Sequence, residues 1–73
     1  MNQRHSFFHI EAGRTGDIWV DDCYYSFLQF RRDFSKLLEI KKEFRVVKAC
    51  SLVTDGQVNK IKILIKDNGG TLV

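Results

Sequence analysis

Apolar residues recur at helical spacing across the middle of the chain, from about residue 22 to residue 41. When they are placed at about 100° per residue, one side of the segment is apolar and the opposite side is charged. A stripe that contains several phenylalanines must be buried against another layer, because aromatic surface is costly to leave in water. Asp21 or Asp22 is expected to cap this helix, which should end near Ile40 without a glycine. The apolar side consists of Cys23, Phe27, Phe30, Phe34, Leu37 and Leu38.

Before the helix, apolar residues alternate in residues 6–12 and again in residues 17–21, and two glycines lie between these segments. Glycine permits the positive φ angles of a tight reversal, so residues 6–21 are predicted to form a β-hairpin with a loop of three or five residues. The alternation leaves Phe7, His9 and Trp19 on the face away from the helix. The side chains predicted to lie under the helix are Phe8, Ile10, Ile18 and Val20.

After the helix, residues 45–66 contain two alternating apolar segments on either side of Asp55-Gly56. An Asp-Gly pair in this setting is typical of a two-residue hairpin turn. We therefore predict a second β-hairpin over residues 45–66, with Lys48 reaching solvent at an edge. Residues 67–73 are expected to be a flexible tail, or alternatively a turn followed by a minimal edge strand. The predicted core face consists of Val46, Cys50, Leu52, Ile61, Ile63 and Ile65.

These elements predict one α+β domain over residues 1–73, with the element order ββαββ. A four-stranded antiparallel sheet with one helix packed on one face is the simplest arrangement that buries both apolar sets. The pattern leaves the order of the strands open. One helix covers only one side of a sheet, so a binding function is expected on the other side.

The composition, with 44% hydrophobic and 29% charged residues, is typical of a folded globular protein. No apolar segment is long enough to cross a membrane and the N-terminus lacks a signal-peptide core, so we expect a cytoplasmic protein without a membrane partner. Cys23 and Cys50 are expected to be buried free thiols. His5 and His9 are four residues apart, but no CxxC motif and no HxxxH motif on a helix supports a zinc site, so neither a metal nor a cofactor is predicted.

The formal net charge of +3 is unevenly distributed, with an acidic excess in the first 22 residues and a basic excess in the remainder. In the predicted second hairpin, four cations flank an apolar strip formed by Val47, Ala49 and Leu64. Such a surface can bind nucleic acid or an acidic partner, because lysine and arginine neutralise phosphates. The alternative is a solvated face whose lysines prevent edge pairing. The four cations are Arg45, Lys60, Lys62 and Lys66.

The outer face of the first hairpin combines aromatic residues with Glu11, Asp17 and Asp21. Aromatic side chains can stack on bases, but the local acidic charge repels phosphates, so a protein contact is favoured. The alternative is that the tryptophan covers a second small core or the edge of the sheet. The residues predicted to bind a protein are Phe7, His9, Trp19, Val47 and Leu64.

Catalysis is not predicted. His9 and Glu11 lie two apart on one strand and could form an acid–base pair, but no nucleophile or pocket motif accompanies them. We predict a non-enzymatic protein that occupies the surface of a larger protein or ribonucleoprotein. Its size and layout are those of inhibitors or adaptors among phage and plasmid accessory proteins, including anti-defence proteins such as anti-CRISPRs. The alternatives are a small nucleic-acid-binding regulator and a homodimerising structural module.

Overall fold

The computed structural model describes residues 7–73, and residue 6, where the first hairpin was expected to begin, lies outside this range. The described chain contains five strands and two helices in the order βββαβαβ. The elements are β1 (Phe8–Ala12), β2 (Asp17–Val20), β3 (Cys23–Ser26), α1 (Phe27–Ile40), β4 (Glu43–Lys48), α2 (Asp55–Asp67) and β5 (Thr71–Leu72).

The five strands form one mixed sheet in the order β3-β2-β1-β4-β5. The first three strands are an antiparallel meander, whereas β4 pairs parallel with β1 and β5 pairs parallel with β4. Buried residues of both helices and of one sheet face belong to the same hydrophobic cluster, so α1 and α2 cover the same side of the sheet. The α+β class is confirmed, but the prediction of four antiparallel strands and one helix is wrong.

The first hairpin agrees with its prediction. Ile10 pairs with Val20 and Ala12 with Ile18, and Gly13 donates its N–H to the carbonyl of Asp17 at 2.7 Å. This register selects the three-residue loop, in which the last residue, Gly16, has a φ of +87°. A left-handed residue at that position is typical of three-residue hairpin loops. The four side chains predicted to lie under the helical layer, Phe8, Ile10, Ile18 and Val20, are all buried.

Helix α1 begins at Phe27, five residues later than predicted, because Ser26 is its N-cap and accepts a hydrogen bond from the N–H of Gln29 at 3.2 Å. Asp21 and Asp22 do not cap it. They have positive φ angles of 46° and 73° and form the turn between β2 and β3. The end at Ile40 without a glycine is as predicted.

The prediction of a second β-hairpin over residues 45–66 is wrong. Its first strand is β4, but residues 55–67 are helix α2, in which Val58, Ile61 and Ile65 are buried at helical spacing. Thr54 and Gln57 form a capping box, because each side chain accepts a hydrogen bond from the backbone N–H of the other. The Asp-Gly pair therefore lies in the first turn of a helix rather than in a hairpin turn.

Several predicted core positions change with this helix. Leu52 and Ile63 are exposed, and both cysteines are free thiols but exposed rather than buried, whereas Ile61 and Ile65 are in the core. Residues 67–73 are not simply a flexible tail, since β5 extends the sheet. No helix within residues 7–73 is long and apolar enough to span a membrane.

The C-terminal end of α2 is closed by two glycines. Gly69 has a φ of +91° and donates its N–H to the carbonyl of Lys66, and Gly70 donates to the carbonyl of Ile65 at 2.9 Å. This pair of hydrogen bonds is the common glycine-dependent way of ending a helix. It reverses the chain and places β5 beside β4.

Candidate functional site

The side of the sheet away from the helices is uncovered by any other element within residues 7–73. Along β1, β2 and β4, every second side chain points toward this side while its neighbours face the core. The strand register sets Trp19 between Glu11 on β1 and Tyr24 on β3. We term this surface the open face, and it is formed by Phe7, His9, Glu11, Asp17, Trp19, Tyr24, Arg45 and Val47.

Trp19 and Tyr24 form an aromatic pair at one end of the open face. Their ring centroids are 5.2 Å apart and their planes meet at 66°, an edge-to-face arrangement. Tyr24 is 59% exposed, and Trp19 is half-buried because its ring lies against the backbone of Gly13. Rigid aromatic side chains that remain partly accessible at a surface are the usual anchors of protein interfaces.

Asp17 lies next to this aromatic pair. The hydroxyl of Thr15 donates to its carboxylate at 2.6 Å. This hydrogen bond and, less strongly, the nearby Tyr24 hydroxyl lower the pKa of Asp17, and the neighbouring Asp17 carboxylate raises the pKa of Tyr24. The result is an ionised carboxylate held in a fixed position beside two aromatic rings.

His9 and Glu11 are in contact at the centre of the open face, as their spacing predicted. The Nε2 atom of His9 lies 3.2 Å from a carboxylate oxygen of Glu11, and both side chains are about two-fifths exposed. The backbone N–H of His9 donates to the Asp21 carboxylate at 3.1 Å. These contacts tie β1 to the turn between β2 and β3 and hold the imidazole at the surface.

Arg45 lies at the other end of the open face. Its guanidinium is over the ring of Phe7, 5.4 Å from the ring centroid. Together with His9, Asp21 and Asp22, these two residues line a shallow depression of about 460 Å³. The open face therefore has an acidic aromatic end and a second end where a cation is already stacked on a ring.

The predicted basic surface is divided between the two layers of the molecule. Arg45 is on the open face, whereas Lys60, Lys62 and Lys66 are in α2 on the opposite layer. Around that helix Lys62 and Lys66 are about 40° apart, but Lys60 points elsewhere. The ammonium of Lys60 lies 5.1 Å from the ring centroid of Phe27. The alternation of residues 58–66 groups the four cations on one face only if this segment is a strand, and it is helix α2.

The predicted protein-binding set is divided in the same way. Phe7, His9, Trp19 and Val47 are together on the open face, and Val47 is half-buried there. Leu64 is in α2 and packs against the hydrophobic core, so it belongs to the other layer.

A cleft of about 360 Å³ lies at the top of the sheet, between the loop of the first hairpin and the first turns of the two helices. Arg14, Thr15, Phe27 and Lys60 line it. The side-chain amide of Gln57 donates to the carbonyl of Arg14 at 2.5 Å, which ties the loop to α2. The cations of Arg14 and Lys60 line the cleft together with the carboxylate of Asp17. Its mixed charge therefore selects neither an anionic nor a cationic ligand.

The sequence pattern does not place Tyr24 on this face, because it predicts helix for residues 23–26, which form β3. The pattern Ser26-Phe27-Leu28-Gln29 has the serine and glutamine spacing of a helix start. Applied at that point, the capping rule would have started the helix at Phe27. The preceding residues would then have been left as a third strand that continues the open face.

Comparison with known proteins finds no matching family model, no matching curated protein and no matching solved structure.

Proposed function

We propose that this chain is a non-enzymatic binding protein that uses its open face to occupy the surface of a larger macromolecular partner. The observation that carries the proposal is the Trp19–Tyr24 pair, which stays accessible on a sheet face that no described element covers. Aromatic residues are enriched at the centres of protein interfaces because they bury much area at little cost in side-chain entropy. Such a domain acts as an inhibitor or an adaptor, by occupying a surface rather than by transforming a substrate.

The rigidity of the surface supports the same function. The aromatic pair is on two hydrogen-bonded strands, and Thr15 fixes the neighbouring carboxylate of Asp17. A surface that is already ordered loses little conformational entropy when it binds. The helical layer supports nucleic-acid binding less well, because Lys60 points away from Lys62 and Lys66 around α2.

The test is capture of partners from host lysate by the full chain, after nuclease treatment, with variants on the two layers. Val47→Asp and Tyr24→Ser change the open face, and Ile63→Asp is the matched control because Ile63 is 58% exposed on α2. We expect a protein retained by the wild type and by Ile63→Asp to be lost, by about tenfold or more, from both open-face variants.

Equal retention by all variants would overturn the proposal. Captured material that disappears with nuclease would also overturn it, because that material is nucleic acid. So would binding that is lost on charge reversal at Lys60 and Lys62, because that loss places the binding site on the helical layer. Light scattering of the pure protein tests a dimer: a halved mass in Val47→Asp would show that the open face binds a second copy instead.

A further inference from the structure

The acidic aromatic end of the open face has a defined charge character. From Asp17 to Ser26 the chain contains three aspartates and no lysine, arginine or histidine. Glu11 adds a fourth carboxylate, because it pairs directly with Trp19 across the β1–β2 ladder. Side chains directly opposite each other in an antiparallel pair are about 5 Å apart at Cβ, so Glu11 and the Trp19 ring are neighbours.

The carboxylates of this end contact a hydroxyl group and an imidazole ring. Asp17 accepts from the hydroxyl of Thr15, and Glu11 contacts the imidazole of His9. The guanidinium of Arg45 lies over the ring of Phe7, and the strand register places Arg45 beside His9 rather than beside Trp19. In contrast, Asp55 on the helical layer is paired with the ammonium of Lys48 at 2.8 Å. Within residues 7–73, neither of the two carboxylates beside the aromatic rings forms an ion pair with an arginine or lysine, although Arg14 and Lys60 line the same cleft as Asp17.

We infer that the partner presents an arginine or lysine side chain to the Trp19–Tyr24 pair, where the rings and the carboxylates of Asp17 and Glu11 receive its charge. This inference rests on the proposed function and names the chemistry of the partner. Cations bind over aromatic faces, and a carboxylate beside the ring adds a charge-assisted hydrogen bond. The partner is therefore a protein with a basic surface, because a nucleic acid would meet like charge here.

Trp19 is the only tryptophan of the chain, so its fluorescence reports directly on this site. The probe is a short capped peptide of alternating arginine and glycine, titrated into the full-length protein at low salt. A glutamate–glycine peptide and a short single-stranded DNA are the comparison ligands. We expect a saturable change in Trp19 emission with the arginine peptide alone, which weakens as salt is raised.

The variants Asp17→Asn and Glu11→Gln should each weaken peptide binding about tenfold, because each removes one charge beside the rings. Glu39→Gln is the matched control, since it removes the same charge from exposed α1 and should leave binding unchanged. Circular dichroism verifies that each variant is folded, and two separate variants keep the test open if one of them unfolds.

Three results would overturn the inference: no saturable response to the arginine peptide, equal weakening by Glu39→Gln, or a response to the DNA instead of the peptide. The proposed function fails separately. If Asp17→Asn and Glu11→Gln retain the captured partner but Val47→Asp loses it, the open face binds a protein and only its basic chemistry is wrong. If these three variants and Tyr24→Ser all retain that partner, both ideas are wrong.

Discussion

The ring of Trp19 lies so close to the backbone of Gly13 that a Cβ atom on Gly13 would be 3.0 Å from Cζ3 of the ring. The same Cβ would be 3.1 Å from the carbonyl oxygen of Asp17. Gly13 is therefore the base on which the tryptophan rests, and it links the first hairpin loop to the open face.

Gly13→Ala should displace the Trp19 ring and lower the free energy of unfolding by about 1–3 kcal/mol, the usual cost of adding a methyl group to a packed site. The measurement is tryptophan emission together with urea denaturation. Gly56→Ala is the control, because a Cβ there would contact only the Thr54 hydroxyl at 3.8 Å. That variant should stabilise α2 by about 0.5–1 kcal/mol. An unchanged emission spectrum in Gly13→Ala would contradict the packing described.

Gly70→Ala should destabilise the C-terminal end of the fold. A Cβ on Gly70 would lie 2.7 Å from Cγ2 of Ile65 and 3.1 Å from the ring of Phe44, which are both core residues. We expect a loss of about 1–3 kcal/mol in urea denaturation and weaker amide protection in β5. In Gly69→Ala the added Cβ has no atom within 4 Å, so only the unfavourable φ of +91° destabilises the variant. Its cost should be smaller, about 1 kcal/mol. The reverse order of these two effects would refute the assignment.

Asp22→Gly should raise the free energy of unfolding by about 0.5–1 kcal/mol. Asp21 and Asp22 both have positive φ angles in the two-residue turn between β2 and β3, where glycine is the preferred second residue. Asp21→Gly should gain less, because it also loses the hydrogen bond from the His9 N–H. Denaturation curves of the two variants side by side make the comparison. A loss of stability in Asp22→Gly would show that this turn has another requirement.

The pKa of Asp17 gives a pH dependence with a definite sign. The Thr15 and Tyr24 hydroxyls lower the pKa of Asp17 below the ordinary value of 3.8. The ionised carboxylate therefore stabilises the fold at all pH values above 3.8, and this contribution disappears as the pH falls through the lowered pKa. Thr15→Val should destabilise the protein at neutral pH. Its difference from the wild type should shrink below the ordinary aspartate value.

Thermal unfolding of both proteins across a pH series tests this prediction. Thr54→Val removes a hydroxyl from the α2 capping box, which contains no titrating group, so its cost should stay constant over the same pH range. A Thr15→Val difference that also stays constant would mean that the hydrogen bond to Asp17 does not distinguish the two charge states.

How far the sequence predicts this fold depends on whether local and global patterns agree. They agree in residues 7–20, where alternation and glycine positions specify one hairpin, and at Ile40, where the apolar stripe ends. They conflict in residues 54–66. Ile61, Ile63 and Ile65 alternate as in a strand, but Val58, Ile61 and Ile65 also lie on one helical face. The capping box of Thr54 and Gln57 favours the helix, because its two hydrogen bonds form at a helix start and would be absent from a hairpin turn.

The candidate site is only partly predictable for the same reason. Phe7, His9, Glu11, Asp17 and Trp19 are in a hairpin whose register follows from its own alternation, so their shared face can be derived locally. Arg45 and Val47 join them through the parallel pairing of β4 with β1. That pairing involves residues far apart in the sequence, and no local pattern specifies it.

The parallel pairing at the centre of the sheet also has a consequence for how the chain acquires its structure. In this pairing Ile10 lies beside Val46, which is far away in the sequence. The strand pairs of the meander, in contrast, join residues that are close in the sequence. Short chain closures are fast and long ones are slow, so the meander can form before β4 arrives. Until β4 pairs with it, β1 is an edge strand with free backbone hydrogen-bonding groups. Its Phe8 and Ile10 side chains are then not yet packed in the core that α2 completes. Slowing the arrival of β4 therefore lengthens the time in which one nascent chain can pair with another through β1.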